Sequence, residues 1–306
     1  MIKPKVVIVL GPTAVGKTDT VLELAEEFNG EIISADSQQV YRQMDIGTAK
    51  PSAEQRKKIP HHLIDVVDPD EDFNAAMFRR LALASAQQIA GRGRNILVCG
   101  GTGLYIRALT TGLFEGPGKS VQFRDALQSE LLEQGLESLY RRLLRVDPAA
   151  GTSVHPNDRQ RIVRALEIYE LTGRPISAWQ REHSFGETAF EMIKIGLDRP
   201  RWRLYDQINR RCVRMIEAGL LDEVKKLREK GYGSELKPMQ SIGYRHASLV
   251  INGEMALSEA IELMKRDSRR LAKRQLTWFR GDKAIHWFDA QNDRAAITSA
   301  VRQFLR

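Results

Sequence analysis

Residues 6–28 read VVIVLGPTAVGKTDTVLELAEEF, and the fold turns on how this stretch divides. The first five residues are apolar and mostly β-branched, as in a strand buried on both faces. Gly11 to Thr18 fit G-x-x-x-x-G-K-T, and a helical pattern runs on from Thr18 to Phe28. Strand, glycine loop and helix in that order form an anion cradle. A Cβ at Gly11 or Gly16 would crowd the ligand. Successive N–H groups and the helix N-terminus face the anion, Lys17 brings a full charge, and Thr18 can offer its hydroxyl to Mg²⁺. The pattern grips a di- or triphosphate. It does not make that phosphate a nucleotide.

Working outward, EIISAD (31–36) reads as a second strand and HHLIDVVDP (61–69) as a short one. FNAAMFRRLALASAQQIAGRG (73–93) reads as a helix stopped by glycine, and NILVCGGTGLYIRAL (95–109) as strand, glycine turn and helix. Strands alternating with helices predict an α/β fold with a parallel sheet and its ligand at the strand C-terminal ends. TTGLFEGPGK (110–119) is a glycine-rich break, and three helices follow it: 121–135, 136–148 and 157–173. FEMIKIGLDRP (190–200) then reads as a strand returning to the core, so the helical block is an insertion. Long helices at 203–219, 220–231 and about 255–279, an edge strand AIHWFDA (284–290) and a last amphipathic helix complete the chain. The expected divisions are a first core part at 1–118, an inserted helical domain at 119–196 and core completion at 197–306.

The chain has 306 residues and a net charge of +8. Residues 197–306 hold 23 basic and 14 acidic residues, a net of +9, so the whole excess lies there. Its densest part is MKRDSRRLAKRQLTWFRG (264–281), readable as a solvated helix face or as a phosphate-backbone contact. No apolar run approaches a membrane span, and the N-terminal apolar run is too short for a signal peptide. Two cysteines, Cys99 and Cys212, make no disulfide framework, and cytoplasm is the expected compartment.

Beyond the cradle, Asp36 stands just past the second strand. It can take a proton from a nucleophile, or it can simply form a turn. Ser37, Gln38 and Gln39 can read a base edge. In CGGTGLY (99–105), the glycines around Thr102 either open space for its hydroxyl or make a plain turn. Arg211 borders the apolar stripe Ile208, Cys212, Met215, Ile216, where a guanidinium reaches a buried phosphate or lies on the surface. Lys273, Arg274 and Arg280 flank Trp278, an arrangement that suits RNA or a packed tryptophan on a solvated helix. In the insertion, Asn157 is a reasonable helix cap, and Gln160, Arg161 and Arg164 cluster within about one turn. His61 and His62 lack the spacing of a zinc site and read as turn packing or a phosphate neighbour. The strand NILVCGG ends in glycine where a conventional NTPase carries a magnesium-binding acid.

Together, GPTAVGKT, SADSQQVYRQMDIGTAKP, IPHHLIDVVDP, FRRLA, ILVCGGTGLYI, HPNDRQRIVRALE, MIEAGLLDEV, SIGYR and LAKRQLTWFR resemble the tRNA dimethylallyltransferase (isopentenyltransferase) family of the bacterial type. The resemblance implies a P-loop NTPase-like core with an inserted helical domain that grips the anticodon stem-loop. It implies transfer of a dimethylallyl group from dimethylallyl diphosphate to N6 of adenine 37, in tRNAs reading codons that start with U. By the same resemblance Gly11, Pro12, Thr13, Ala14, Val15, Gly16, Lys17 and Thr18 hold the diphosphate with Arg211, and Thr18 helps bind Mg²⁺. Asp36 matches the general base, and Thr102 a threonine at the reacting centre. Ser37, Gln38, Gln39, Arg124, and Gln160, Arg161, Ile162, Val163 and Arg164 match positions beside tRNA. Cys99 stands where many relatives carry an apolar residue, and its thiol is expected to be buried. No obligate protein partner is implied, and a monomer suffices. Competing readings are a prenyltransferase on free adenine nucleotides, an ATP-dependent small-molecule kinase, and an RNA-binding protein with a vestigial loop.

Overall fold

The computed structural model describes residues 3–114, 116–118, 120–183 and 189–306 of the chain. It divides into two compact units: Met1–Thr110 with Thr188–Arg306, and Thr111–Glu187. Lys119, the expected first residue of the insertion, lies outside the described residues.

The larger unit opens with β1 (Lys5–Leu10), α1 (Lys17–Glu27), β2 (Gly30–Ser34), α2 (Ala53–Lys58), β3 (His61–His62), α3 (Ala75–Gly91), β4 (Asn95–Gly100) and α4 (Gly103–Thr111). Among the described residues its six strands are parallel and form one sheet in the order β3-β2-β4-β1-β5-β6. Here β5 is Glu191–Asp198 and β6 is Ile285–Asp289. The strand β1 lies inside the sheet, between β4 and β5, which is why Val6 to Leu10 are at most 1% exposed. The expected boundary at Gly196 falls inside β5. Its Ile195 and Gly196 pair with Val9 and Leu10, so this segment belongs to the sheet. The edge strand expected from AIHWFDA is β6.

From adjacent positions, β1 sends its chain toward β2 and β4 sends its chain toward β5 on the other side. Opposed departures open a crevice between the strand C-terminal ends. The loops after β1, β2 and β4 all leave from that edge. Helices α9 (Arg201–Glu217), α10 (Leu220–Glu229), α11 (Tyr244–Ile251), α12 (Leu257–Arg280) and α13 (Arg294–Leu305) complete the unit.

The smaller unit holds α5 (Val121–Val146), α6 (Pro148–Ser153), α7 (Arg159–Thr172) and α8 (Ile176–Glu182). Gly135, at φ 78° and ψ 169°, breaks α5 into the two helical pieces read from sequence. Leu127, Leu139, Leu143, Ile162, Ala165 and Leu166 pack as a core of their own. The cap of α7 is Asp158, whose carboxylate accepts from the Arg161 amide at 3.1 Å, and not Asn157 as expected. Glu167 lies in this unit fully buried, bonded by Arg124 at 2.7 and 2.9 Å, by Arg164 at 2.6 Å and by the Ser120 amide at 3.0 Å. Burial raises a carboxyl's pKa, but these donors outweigh it and bring Glu167 down to about 2. No described helix is long and apolar enough to cross a membrane.

Candidate active site

The loop from Gly11 to Gly16 joins β1 to α1. Gly16 has φ +108°, a conformation that side chains resist, and no side chain caps the helix it starts. The first amides of α1 are therefore left for a ligand. Lys17 Nζ donates to the loop carbonyls of Gly11 (3.1 Å) and Pro12 (2.8 Å). Burial lowers its pKa to about 8; Cys99 and Asp36 oppose that fall and Arg211 adds to it. The Thr18 hydroxyl faces the cavity with no protein hydrogen-bond partner among the described residues. No three described His, Cys, Asp or Glu side chains converge on a metal position. The set fits Mg²⁺ held by Thr18, phosphate oxygens and water, which is how this hard cation usually binds beside phosphates.

The loop after β2 forms the opposite wall. Asp36 Oδ1 accepts from the amides of Gln38 (2.8 Å) and Gln39 (3.3 Å), as the turn reading expects. Its Oδ2 has no hydrogen-bond partner among the described residues, so the turn leaves one oxygen for chemistry. The Ser37 amide donates to Thr102 Oγ1 at 3.0 Å, and the Thr102 amide to the Ala35 carbonyl at 3.2 Å. Gly100 permits this closeness, since a Cβ there would stand 2.1 Å from the Ala35 carbonyl oxygen.

The two glutamines part company. Gln39 accepts from Ser34 Oγ (3.0 Å) and points its amide nitrogen at the carbonyls of Thr48 (3.4 Å) and Ala49 (3.3 Å). With both ends of its amide engaged, Gln39 braces the loop while also lining the cavity. Gln38 lines the same cavity, but its buried Oε1 has no partner among the described residues.

The third wall comes from α9 and α12. Arg211 lines the cavity with no protein partner among the described residues, and burial pulls its guanidinium below the usual range. Ile208, Cys212, Met215, Ile242, Met264 and Leu271 give an apolar side to a cavity of about 650 Å³. Cys212 is buried, with its Sγ 3.7 Å from Ser268 Oγ. Cys99 keeps partial solvent contact, against expectation, yet burial pushes its thiol up to about 12, so it is no thiolate at neutral pH.

Four supporting residues escaped the sequence reading. Gln275 bonds the Thr13 amide and the Gly101 carbonyl, and Arg199 Nε donates to the Val15 carbonyl at 2.9 Å. Glu223 accepts from the amides of Asp45 (3.0 Å), Ile46 (2.8 Å) and Gly47 (3.3 Å) and from the Tyr244 hydroxyl (2.6 Å). Lys50, its side chain only 2% exposed, bonds the Tyr41 carbonyl and the carboxylates of Asp45 and Asp65. The only sequence signal was their place inside quoted motifs; the partners lie up to 262 positions away.

Of the basic residues near Trp278, Lys273 and Arg274 are exposed without an ionic partner among the described residues, whereas Arg280 pairs with Asp198 at 2.9 Å. Trp278 is 41% exposed and packs on Gly103, where a Cβ would approach the ring to 2.4 Å. In the helical unit Gln160 and Arg161 are exposed, and Arg161 pairs with Asp158. Arg124 and Arg164 are tied to Glu167. Ile162 is 0% exposed and Val163 half-buried, so the expectation of a nucleic-acid contact through Ile162 is corrected: its side chain belongs to the core face of α7. His62 pairs with Glu31 at 2.7 Å and His61 Nδ1 lies 2.7 Å from the Ile59 carbonyl, and neither lines the cavity.

A family model described as IPP transferase matches residues 39–282, and one described as isopentenyl transferase matches residues 4–71. The chain is 49% identical to "tRNA dimethylallyltransferase 2" of Geotalea uraniireducens, over 99% of this chain and 97% of that one. It is also 49% identical to "tRNA dimethylallyltransferase" of Geobacter metallireducens, over 99% and 98%. Among solved structures it matches the full-length tRNA isopentenylpyrophosphate transferase of Bacillus halodurans with TM-score 0.73 and 42% identity, over 99% and 97% of the chains. A eukaryotic dimethylallyltransferase acting on tRNA matches with TM-score 0.79 and 31% identity, over 97% of this chain and 78% of that one.

Proposed function

The chain belongs to the tRNA dimethylallyltransferase family, the IPP transferases, and from that premise we propose the path of its reaction through the cavity. A dimethylallyl group passes from its diphosphate to N6 of adenosine 37, in tRNAs that read codons starting with U. The products are N6-dimethylallyladenosine and diphosphate. One observation carries the reading: an unpaired guanidinium and a set of free helix amides share one cavity with a half-free carboxylate, beside an apolar wall.

We read the core as P-loop NTPase-like, with its glycine loop turned to a diphosphate. The amides of Ala14 to Thr18, with Lys17 and Arg211, bind the two phosphates and stabilise the charge that grows as the C–O bond breaks. Thr18 would hold Mg²⁺, which when bound would supply further neutralisation of the leaving group. The hydrocarbon tail lies along Ile208, Met215, Met264 and Leu271. The acceptor amine is a weak nucleophile, because its lone pair is shared with the ring. As N6 bonds to the allylic carbon, Asp36 Oδ2 takes the proton it loses. Thr102, whose oxygen already accepts from Ser37, points its own proton toward the reacting centre. Gln38 reads the adenine edge with the Oε1 that lacks a partner. The adenine has to leave its stack to reach these groups.

The helical unit holds the anticodon stem-loop through Gln160 and Arg161, with Val163 beside them and Arg164 and Arg124 at the edge of their clamp on Glu167. Ser37, Lys273, Arg274 and Arg280 add contacts on the core. The reaction is cytoplasmic, where its tRNA substrate is made, and a single chain supplies every group named.

The test is to incubate the protein with dimethylallyl diphosphate, Mg²⁺ and unmodified tRNA, then look for the mass of one dimethylallyl group on a single adenosine. Transfer to free AMP in place of tRNA, or phosphoryl transfer from ATP, overturns the reading.

A further inference from the structure

Helix α12 meets the site with one stripe. Met264, Ser268, Leu271 and Gln275, spaced by four, three and four residues, all line the cavity. Lys273 and Arg274 point the other way, into solvent. Gln275 differs from the rest of the stripe in what it touches. Its Oε1 accepts from the Thr13 amide at 2.8 Å, and its Nε2 donates to the Gly101 carbonyl at 2.9 Å. Thr13 belongs to the loop after β1, and Gly101 to the turn after β4 that carries Thr102.

The partners dictate the orientation of this amide. An N–H must meet an acceptor and a carbonyl must meet a donor, so flipping the amide breaks both bonds at once. The approach is also close: a Cβ at Gly101 would stand 2.5 Å from Gln275 Nε2. The bases of these two loops are fixed side by side by the strand pairing that ends at Leu10 and Gly100, and past it no backbone hydrogen bond joins the two loops among the described residues. Their own anchors go elsewhere, Thr102 to Ala35 and Val15 to Arg199.

We propose that Gln275 is a positioning residue that sets the gap between the donor cradle and the acceptor turn, and so the distance across which the dimethylallyl group must move. The inference rests on the functional reading above. Gln275 takes no proton and forms no bond to substrate; it holds the loop of Lys17 and the turn of Thr102 at one spacing. A misplacement of about 1 Å can cost ~10²-fold in rate.

Two variants separate its bonds, and both residues are good helix formers, so α12 persists. Gln275→Glu keeps an acceptor for Thr13 but opposes a carboxylate to the Gly101 carbonyl. Gln275→Leu removes both bonds. Expected are a kcat lowered roughly tenfold in Q275E and about a hundredfold in Q275L, with KM for donor and for tRNA within about threefold of wild type. Hydrogen exchange should find the Thr13 amide protected in wild type and in Q275E, and released in Q275L. A Q275L kcat within about threefold of wild type, a loss carried by donor KM, or equal Thr13 exchange in wild type and Q275L each overturns the proposal. If wild type itself transfers nothing to tRNA, the functional reading falls, while the exchange pattern still decides whether Gln275 joins the two loops.

Discussion

The loop after β1 and the loop after β2 leave the same sheet edge toward the same cavity, yet they are built differently. The first carries its anion-binding groups locally and takes two side-chain bonds from elsewhere, Gln275 accepting from the Thr13 amide and Arg199 donating to the Val15 carbonyl. Its glycines, the start of α1 and Lys17 lie within eight consecutive residues, and Lys17 folds onto the loop's own carbonyls. The second, from Ala35 to Lys50, is held from outside. Glu223 on α10 takes three of its amides, Tyr244 on α11 bonds that same carboxylate, and Thr102 takes the Ser37 amide. A site for an anion needs only backbone N–H groups in the right curl, which a short motif can encode. Asp36 is half-occupied by the amides of its own neighbours, but the long loop that presents it keeps its path only through distant partners.

The largest effect that can break this contrast is at Asp36. Asp36→Asn should lower transfer by about 10²–10⁴-fold while tRNA affinity stays near wild type, since a removed general base acts on the rate. Normal turnover by D36N in single-turnover assays refutes the assignment. Next comes Glu223→Gln, which leaves an amide where four donors converged. The cost of under-satisfied buried groups, about 1–3 kcal/mol, should fall on the acceptor loop, with kcat down by roughly tenfold and diphosphate binding unchanged. If calorimetry shows diphosphate binding lost as well, the two loops are not separate devices.

The cradle has its own signature in pH. Lys17 titrates near 8 in the free protein because burial disfavours its charge. A diphosphate selects the charged form, so affinity should be flat below that pH and fall up to about tenfold per unit above it. Lys17→Met should bind weakly with no such bend. The same shift has a sign for stability. The unfolded lysine, with its higher pKa, holds the proton more tightly, so this residue opposes folding at neutral pH and that opposition is relieved as pH rises from about 8 toward 10.5. The smallest effect is on α12. Converting Lys273 and Arg274 to alanine should weaken tRNA binding by several-fold and reduce the salt slope by nearly two, with donor binding intact. An unchanged slope removes both from the interface.

Much of this molecule could be read before folding. The β-branched run of β1, the alternation of strands and helices and the glycine-ended helices all act through neighbours in sequence, so the parallel sheet and the cradle were legible. Short α2, α6 and α8 were not, because pieces of six or seven residues carry too little periodicity to stand out. The Gly196 boundary missed because charge counts do not follow sheet pairing. Asn157 was taken for a cap that Asp158 provides, one position along, since both residue types cap well.

What the sequence determined by itself is therefore the scaffold and the anion loop: properties of backbone conformation and of contiguous apolar pattern. Only the tertiary structure decided which polar side chains remain available. Gln38 and Gln39 are identical in kind and both line the cavity, but Ser34, Thr48 and Ala49 engage the amide of Gln39 while the Oε1 of Gln38 keeps no partner among the described residues. Arg124 and Arg164 are drawn onto a buried Glu167, while Arg211 keeps its donors free. The physical reason is that a hydrogen bond joins groups that are close in space, and which of two equivalent side chains meets a partner depends on the folded path of the chain, whether that partner is a few residues away or far along it.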